Sequence, residues 1–255
     1  LDYLNDGDPA AGQDLGVTAL WLMPVAAAAS YHGYDVMDYT TVSPDYGSND
    51  DFRALVDAAH RRGMRVIVDM VLNHTSDQHP WFVDSASGPG AERRDWYVWA
   101  EAQSAPGAEW HERNGAYYYG YFWGGMPDLN LENPEVTAAL YDVARFWIED
   151  MGVDGFRLDA ARHYVEEGRT LMHTPATHSW LQAYRRHVRE LAPEFLTVAE
   201  VWDVSDVVAT YVGEDVDLAF EFSLAKAILQ SVNDGSVTAL ASALKEVQRL
   251  YPQDG

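Results

Sequence analysis

VDGFRLDAARH (residues 153–163) decides how the rest of the chain is read. Its first seven residues are short, mostly apolar and preceded by a glycine stop, Gly152, which is the pattern of a buried strand following a helix. Arg157 lies two residues before Asp159, so both side chains point to one face of that strand. A guanidinium beside a carboxylate keeps it ionised, and therefore nucleophilic, near neutral pH. Outward from this point the pattern alternates. A helix is expected over residues 134–151, and another over 179–191. The strand EFLTVAEVW (194–202) follows, and it ends in Glu200 and Trp202. Upstream, MRVIVDMVLNH (64–74) is a near-continuous apolar run of the kind a parallel strand covered on both faces requires. It is preceded by an amphipathic helix over 51–63, with N-cap residues at 49–51 and Gly63 as its stop. GVTALWLMPV (16–25) reads as a further strand, VDLAFEF (216–222) as another, and 223–232 and 238–251 as helices.

Strand–helix alternation with no glycine-rich phosphate loop points to an α/β fold of the (β/α)8 TIM-barrel type rather than a dinucleotide-binding fold. Five strands are predicted where such a barrel has eight. We expect them to be strands 2 to 6 of an incomplete barrel, with one strand before Leu1 and two after Gly255. Residues 75–130 break the pattern: they are rich in Gly, Trp and Tyr, lack helical periodicity, and are too long for a plain connection. The expected organisation is a partial barrel from 1–74 and 131–255, with an inserted irregular subdomain at 75–130. Most aromatics between 96 and 123 are expected to be its packed core, because a small irregular subdomain needs bulky anchors.

Composition bounds the function. With 47% hydrophobic and 22% charged residues the chain is an ordinary globular one. A net charge of −23 and no basic stripe disfavour a nucleic-acid partner. The longest apolar run, 17–29, is interrupted by Pro24, so no membrane span is expected. Cysteine is absent, which excludes disulfides and thiolate metal sites. The lysine-poor, aspartate-rich composition suits a secreted or salt-adapted protein, favouring an extracellular or periplasmic place, and equally suits a GC-rich genome with a cytoplasmic one.

In such a barrel the chemistry sits at the C-terminal ends of the strands. Those ends bring polar groups from distant segments to one rim: His32, Tyr34 and Asp35; Asp69, Asn73 and His74; Arg157 and Asp159; Glu200 and Trp202. Two carboxylates on neighbouring strands are the minimum apparatus for glycoside hydrolysis, and retention of configuration needs them about 5–5.5 Å apart. Glu200 as the acid is expected to have a raised pKa. Asp69 is as well suited to holding Arg157 as to direct catalysis. A zinc-hydrolase barrel built on His74 and Asp69 is disfavoured, because no His-x-His pair ends a strand.

Five blocks, in order, resemble those of the α-amylase family of glycoside hydrolases. They are HGYDVMDY (32–39) with YGSNDDF (46–52), DMVLNH (69–74), MPDLN (126–130), GFRLDAARH (155–163) and EVW (200–202). The resemblance implies that Asp159 is the nucleophile, Glu200 the acid/base and Arg157 a partner of the nucleophile. His32, Tyr34, Asp35, His74, Arg162, His163 and Trp202 are the substrate contacts it implies, with Tyr34 stacking on the sugar at the cleavage site and His163 on the acceptor side. It implies a calcium ion on Asn73, Asp128 and the His163 carbonyl, although some oligosaccharide-cleaving subfamilies with a similar insertion block lack the ion. Arg162 stands where many amylases have Lys. The expected activity is retaining hydrolysis of α-1,4 bonds in starch and maltooligosaccharides. The alternatives are an oligo-1,6-glucosidase, α-glucosidase or transglycosylase of the same family, or a non-catalytic binding subunit. The family's fourth block, with its third carboxylate, is expected after Gly255, and its first strand and Asp/Gly-rich loop before Leu1. The 255-residue chain alone is therefore expected to have little activity. The remaining histidines, His60, His79, His111, His173, His178 and His187, are read as surface or packing residues.

Overall fold

Strand Gly155–Leu158 is buried at every position, flanked by the strand that carries Asp69. The computed structural model describes residues 1–8, 10, 12–100, 107–168 and 170–251, so part of the expected insertion, 101–106, lies outside the described residues. The chain forms two compact units, Leu1–Asp159 with His187–Leu196, and Ala160–Arg186 with Thr197 onward.

In the first unit, β1 (Ala19–Leu22), β2 (Ala26–Ala28) and β3 (Val36–Val42) lead into helix α1 (Asn49–His60) and β4 (Arg65–Met70). Helix α1 starts where Ser48 accepts from Asp51 N–H and Asp51 reciprocates, a capping box that satisfies two otherwise unpaired amides. It buries Phe52, Val56 and Ala59. Helix α2 (Pro80–Ser85) and a three-stranded antiparallel sheet of β5 (Trp99–Ala100), β6 (Trp110–Arg113) and β7 (Ala116–Tyr119) follow. Helix α3 (Pro134–Arg145), capped by Asn133, continues through a π turn to Asp150 and leads to β8 (Gly155–Leu158). Strands β1, β4 and β8 are parallel, with Trp21 opposite Ile67 and Asp69 opposite Arg157. This is the βαβ arrangement the alternating pattern predicts. Gly155 lets the chain approach closely: a Cβ there would lie 2.7 Å from the Leu196 carbonyl oxygen.

The aromatic residues of the insertion do pack as a core. Phe82, Tyr97 and Tyr118 are buried, with Phe82 ring centroids 5.0 Å from Tyr97 and 4.8 Å from Tyr118, while Phe122 and Trp123 are exposed. The block MPDLN returns to the end of β4, where Leu129 N–H donates to Asn73 O at 2.8 Å and Thr75 N–H to Pro127 O at 3.1 Å. Ala26–Ala28, a run with no evident reading in the sequence, pairs antiparallel with β3. A turn rich in Asp and Gly stands directly before β1. There Asn5, Asp6 and Asp14 side chains accept from the backbone of Gly7, Asp8 and Gly16.

In the second unit, a 3-10 turn at Ala161–His163 is followed by helix α4 (Pro175–Leu191), whose last turn returns to the first unit. Strand β9 (Leu196–Ala199) leads to a short helix α5 (Ser205–Val208), strand β10 (Leu218–Ala219) and helices α6 (Phe222–Asp234) and α7 (Thr238–Leu250). Strands β9 and β10 are parallel. Asp217 ties them, accepting from Thr197 N–H and Oγ1 at 2.9 Å each and pairing with Arg185 at 2.6 Å. The predicted strand over 216–222 is only two residues long, because the Glu221 carboxylate accepts from Ser223 and Leu224 N–H and starts α6 instead. Among the described residues no helix is long and apolar enough to cross a membrane.

Candidate functional site

The first unit gathers two carboxylates on one guanidinium. Because Asp69 and Arg157 are register partners on β4 and β8, Arg157 Nη1 reaches Asp69 Oδ1 at 2.8 Å. The i, i+2 spacing along β8 brings the same nitrogen within 2.6 Å of Asp159 Oδ1. All three side chains are buried or nearly so. The Tyr34 hydroxyl donates to Asp69 Oδ2 at 3.2 Å. The guanidinium carbon lies 5.6 Å from the ring centroids of both Tyr34 and Trp21, within cation–π range.

Burial pushes Asp69 up to about 7, against the pull of Arg157. Arg157 and the Tyr34 hydroxyl, both donors to Asp69, oppose that rise. Burial and the neighbouring carboxylates push the Tyr34 phenol well above its ordinary value, so it remains a neutral donor.

The loop that carries Tyr34 is shaped by its neighbours. Gly33 has φ +80°, and a Cβ there would lie 2.8 Å from Pro24 Cβ, so the turn requires glycine. Asp35, 2% exposed, accepts from Ser30 N–H at 3.1 Å and Oγ at 2.7 Å and thus closes the loop from inside. His32 Nδ1 accepts from Tyr34 N–H at 3.1 Å, and its ring stacks on Tyr34 with centroids 6.0 Å apart. His74 is fully buried. Its Nε2 donates to the Tyr34 carbonyl at 3.1 Å, and burial lowers its pKa to about 4, leaving a neutral ring that holds Tyr34 from beneath. The structure thus joins Tyr34, Asp69, Arg157 and Asp159 directly, and places His32 and His74 against Tyr34, with Asp35 closing the loop that carries it.

Asn73 and Asp128, the first-unit residues expected to hold calcium, meet side by side. Asn73 Nδ2 donates to Asp128 Oδ2 at 3.0 Å, and Tyr121 N–H to Asp128 Oδ1 at 3.0 Å. A buried amide and carboxylate are the hard oxygen chemistry calcium takes. Among the described residues no three His, Asp or Glu side chains gather as a metal site.

The second unit holds Glu200, Trp202, Arg162 and His163. Glu200 Oε2 accepts from Ala160 N–H at 3.3 Å, and Ala160 itself sits at φ +48°. Arg162 donates through Nη1 to the Trp202 carbonyl and through Nε to His163 Nε2 at 3.1 Å. His163, 3% exposed, donates from Nδ1 to the Leu171 carbonyl at 3.0 Å. Trp202 is 64% exposed and stacks on Phe222, with centroids 4.8 Å apart and ring planes 12° from parallel. The sequence did not point to the partners of His173, whose Nε2 donates to Asp203 Oδ2 at 3.0 Å and whose Nδ1 accepts from the Tyr211 hydroxyl at 2.8 Å. No periodicity marks such a residue; the only signal was a histidine within a loop that also carries candidate acceptor residues.

Parallel strands of a β/α fold thus end in a buried Asp–Arg–Asp cluster. The family described as "Alpha amylase, catalytic domain" matches residues 4–253. This chain belongs to the alpha-amylase family of glycoside hydrolases, and its fold is that of the family's (β/α)8 catalytic barrel. It is 38% identical over 256 residues to Alpha-amylase 3 of Dictyoglomus thermophilum, covering 100% of this chain and 48% of that protein. A trehalose synthase of Pimelobacter sp. is 36% identical over 273 residues, covering 96% of this chain and 46% of that protein. The crystal structure of an alpha-amylase from H. orenii matches with a TM-score of 0.87 and 42% identity, over 98% of this chain and 51% of that one. The chain thus spans about half the length of the relatives it matches.

Proposed function

We propose that the protein containing this chain hydrolyses α-1,4-glucosidic bonds in starch and maltooligosaccharides with retention of configuration. The observation that carries this reading is the buried Arg157 shared by Asp69 and Asp159, which favours an ionised Asp159 at a strand end. An Asp159 oxygen attacks the anomeric carbon while the Glu200 proton passes to the departing glycosidic oxygen. Glu200, now a carboxylate, takes a proton from water as that water attacks the same carbon and releases Asp159. Tyr34 stacks against the sugar at the cleavage point and donates its hydroxyl to Asp69. His32, Asp35 and His74 hold Tyr34 in place, while Arg162, His163 and Trp202 serve the leaving-group side.

The likeness to a trehalose synthase supports a second reading, in which a sugar hydroxyl replaces water in the second step. Product analysis on starch, maltopentaose, isomaltose and maltose separates the two. Hydrolysis predicts shorter maltooligosaccharides with α-configured new ends. Asp159→Asn and Glu200→Gln should each lower kcat by about a hundredfold or more. Glucose release from isomaltose with starch untouched, or β-configured products, overturns the leading reading. Full activity in Asp159→Asn removes the nucleophile assignment.

Calcium on Asn73 and Asp128, with the His163 carbonyl as the third ligand that the family resemblance implies, is proposed as a structural ion that neutralises the buried carboxylate. Chelation should lower Tm by several degrees, and Asp128→Asn should remove that response. A Tm indifferent to both chelator and added calcium refutes it.

A further inference from the structure

The second unit contains a chain of polar contacts of which the reaction proposed above uses only Arg162 and Trp202. Trp202 stands two residues after Glu200, and its carbonyl accepts from Arg162 Nη1. The next residue, Asp203, lies 3.7 Å from the same guanidinium through Oδ2. Its Oδ1 accepts from Val204 N–H at 2.7 Å. His173 joins from the β8–α4 connection that also carries Arg162. Its backbone N–H donates to the Arg162 carbonyl at 2.9 Å, and its side chain spans Asp203 and the hydroxyl of Tyr211, a fully buried residue. His173 adopts φ +57°, a conformation a non-glycine residue keeps only where its surroundings over-determine it. The β8–α4 connection, which carries Arg162 and His173, and the segment of Tyr211 are thus pinned to the peptide that follows Glu200.

The pinned peptide presents an aromatic ring. One face of Trp202 rests on Phe222, and the residue is nevertheless 64% exposed, so the other face is open. An open indole face with a rigid backing is suited to a pyranose ring, whose axial C–H groups pack on aromatic faces. Arg162 is engaged with a carbonyl, an imidazole and a carboxylate of the protein itself. It is therefore better placed to hold Trp202 than to bind a sugar.

We propose that Arg162, Asp203 and His173 are positioning residues that fix Trp202 as the platform for a glucosyl ring on the leaving-group side of the bond, and so set the preference for oligosaccharide over small leaving groups. The proposal rests on the reading of Glu200 as the acid/base, since that places Trp202 on the leaving-group side.

The test uses the full protein and two substrates, maltopentaose and 4-nitrophenyl α-glucoside, whose leaving group offers no glucosyl ring to Trp202. The quantity read is the ratio of the two kcat/KM values. In Trp202→Ala and in His173→Gln the ratio should fall about tenfold, with the change mostly in KM for maltopentaose. Arg162→Lys should fall between these and the parent. In a Trp202→Ala background, His173→Gln should produce no further fall, because its effect runs through Trp202. A ratio that stays constant, whether both activities drop together or neither does, overturns the proposal. So does an undiminished His173→Gln effect in the absence of Trp202. Glu200→Gln is assayed alongside on maltopentaose, whose sugar leaving group needs the donated proton: if it retains activity there, the acid/base reading fails, whatever the ratios show.

Discussion

At the scale of single residues, burial decides which form of each titratable group the fold uses. Asp69 and Asp159 share one guanidinium, and burial raises Asp69 to about 7 against the pull of that charge. His79 shows the same logic in a structural setting. It caps α2, its Nδ1 accepting from Trp81 N–H at 3.1 Å, and its ring packs 4.5 Å from Trp81 and 5.5 Å from Tyr39. An acceptor at Nδ1 requires the neutral ring, and burial lowers its pKa to about 4 from 6.5, partly opposed by Asp38. For a histidine whose folded pKa is depressed, the stabilisation is fully present above the unfolded value and is lost as pH falls from 6.5 toward 4. His79→Asn keeps a capping acceptor but removes the titration. Between pH 7 and pH 5 the parent should lose about 2 kcal/mol more unfolding free energy than the variant, as measured by urea denaturation. Parallel pH profiles would show that His79 does not carry the acid sensitivity.

At the scale of elements, helices were more legible than strand ends. Helix α1 follows from Ser48, Asp51 and the spacing of Phe52, Val56 and Ala59, which are local features. The strand expected over 216–222 shrinks to Leu218–Ala219, because Glu221 caps α6 and draws Phe222 into the helix. Propensity favoured strand there, and a single capping carboxylate won. The pairing of Asp69 with Arg157 depends on the register of β4 against β8, which side-chain alternation constrains but does not number. Gly155 belongs to this scale too. Gly155→Ala would set a methyl 2.7 Å from the Leu196 carbonyl oxygen, forcing β8 to shift. It should cost about 1–3 kcal/mol of stability and also lower kcat, because β8 carries Arg157 and leads to Asp159. Gly90→Ala, where an added Cβ meets nothing within 4 Å, is the control and should be near neutral. Equal thermal shifts in the two variants would remove the packing explanation.

At the scale of the whole molecule, the charge of −23 and the order of the sequence blocks set limits that no single contact changes. The alternation of apolar strands with amphipathic helices, and five blocks in family order, were enough to determine the barrel class, the family and the identity of Asp159, Arg157 and Glu200 as the candidates for chemistry. These are properties of residue type and near-neighbour spacing. Only the tertiary structure decided that His74 supports Tyr34 rather than standing open, that Asp69 and Asp159 divide one guanidinium, and that His173 joins Asp203 across 30 residues and Tyr211 across 38. Those contacts depend on strand register, on glycine turns and on left-handed residues such as Ala160 and His173, which bring distant segments together. A hydrogen bond between distant segments leaves no period in the sequence, so its partners become known only when the chain has folded.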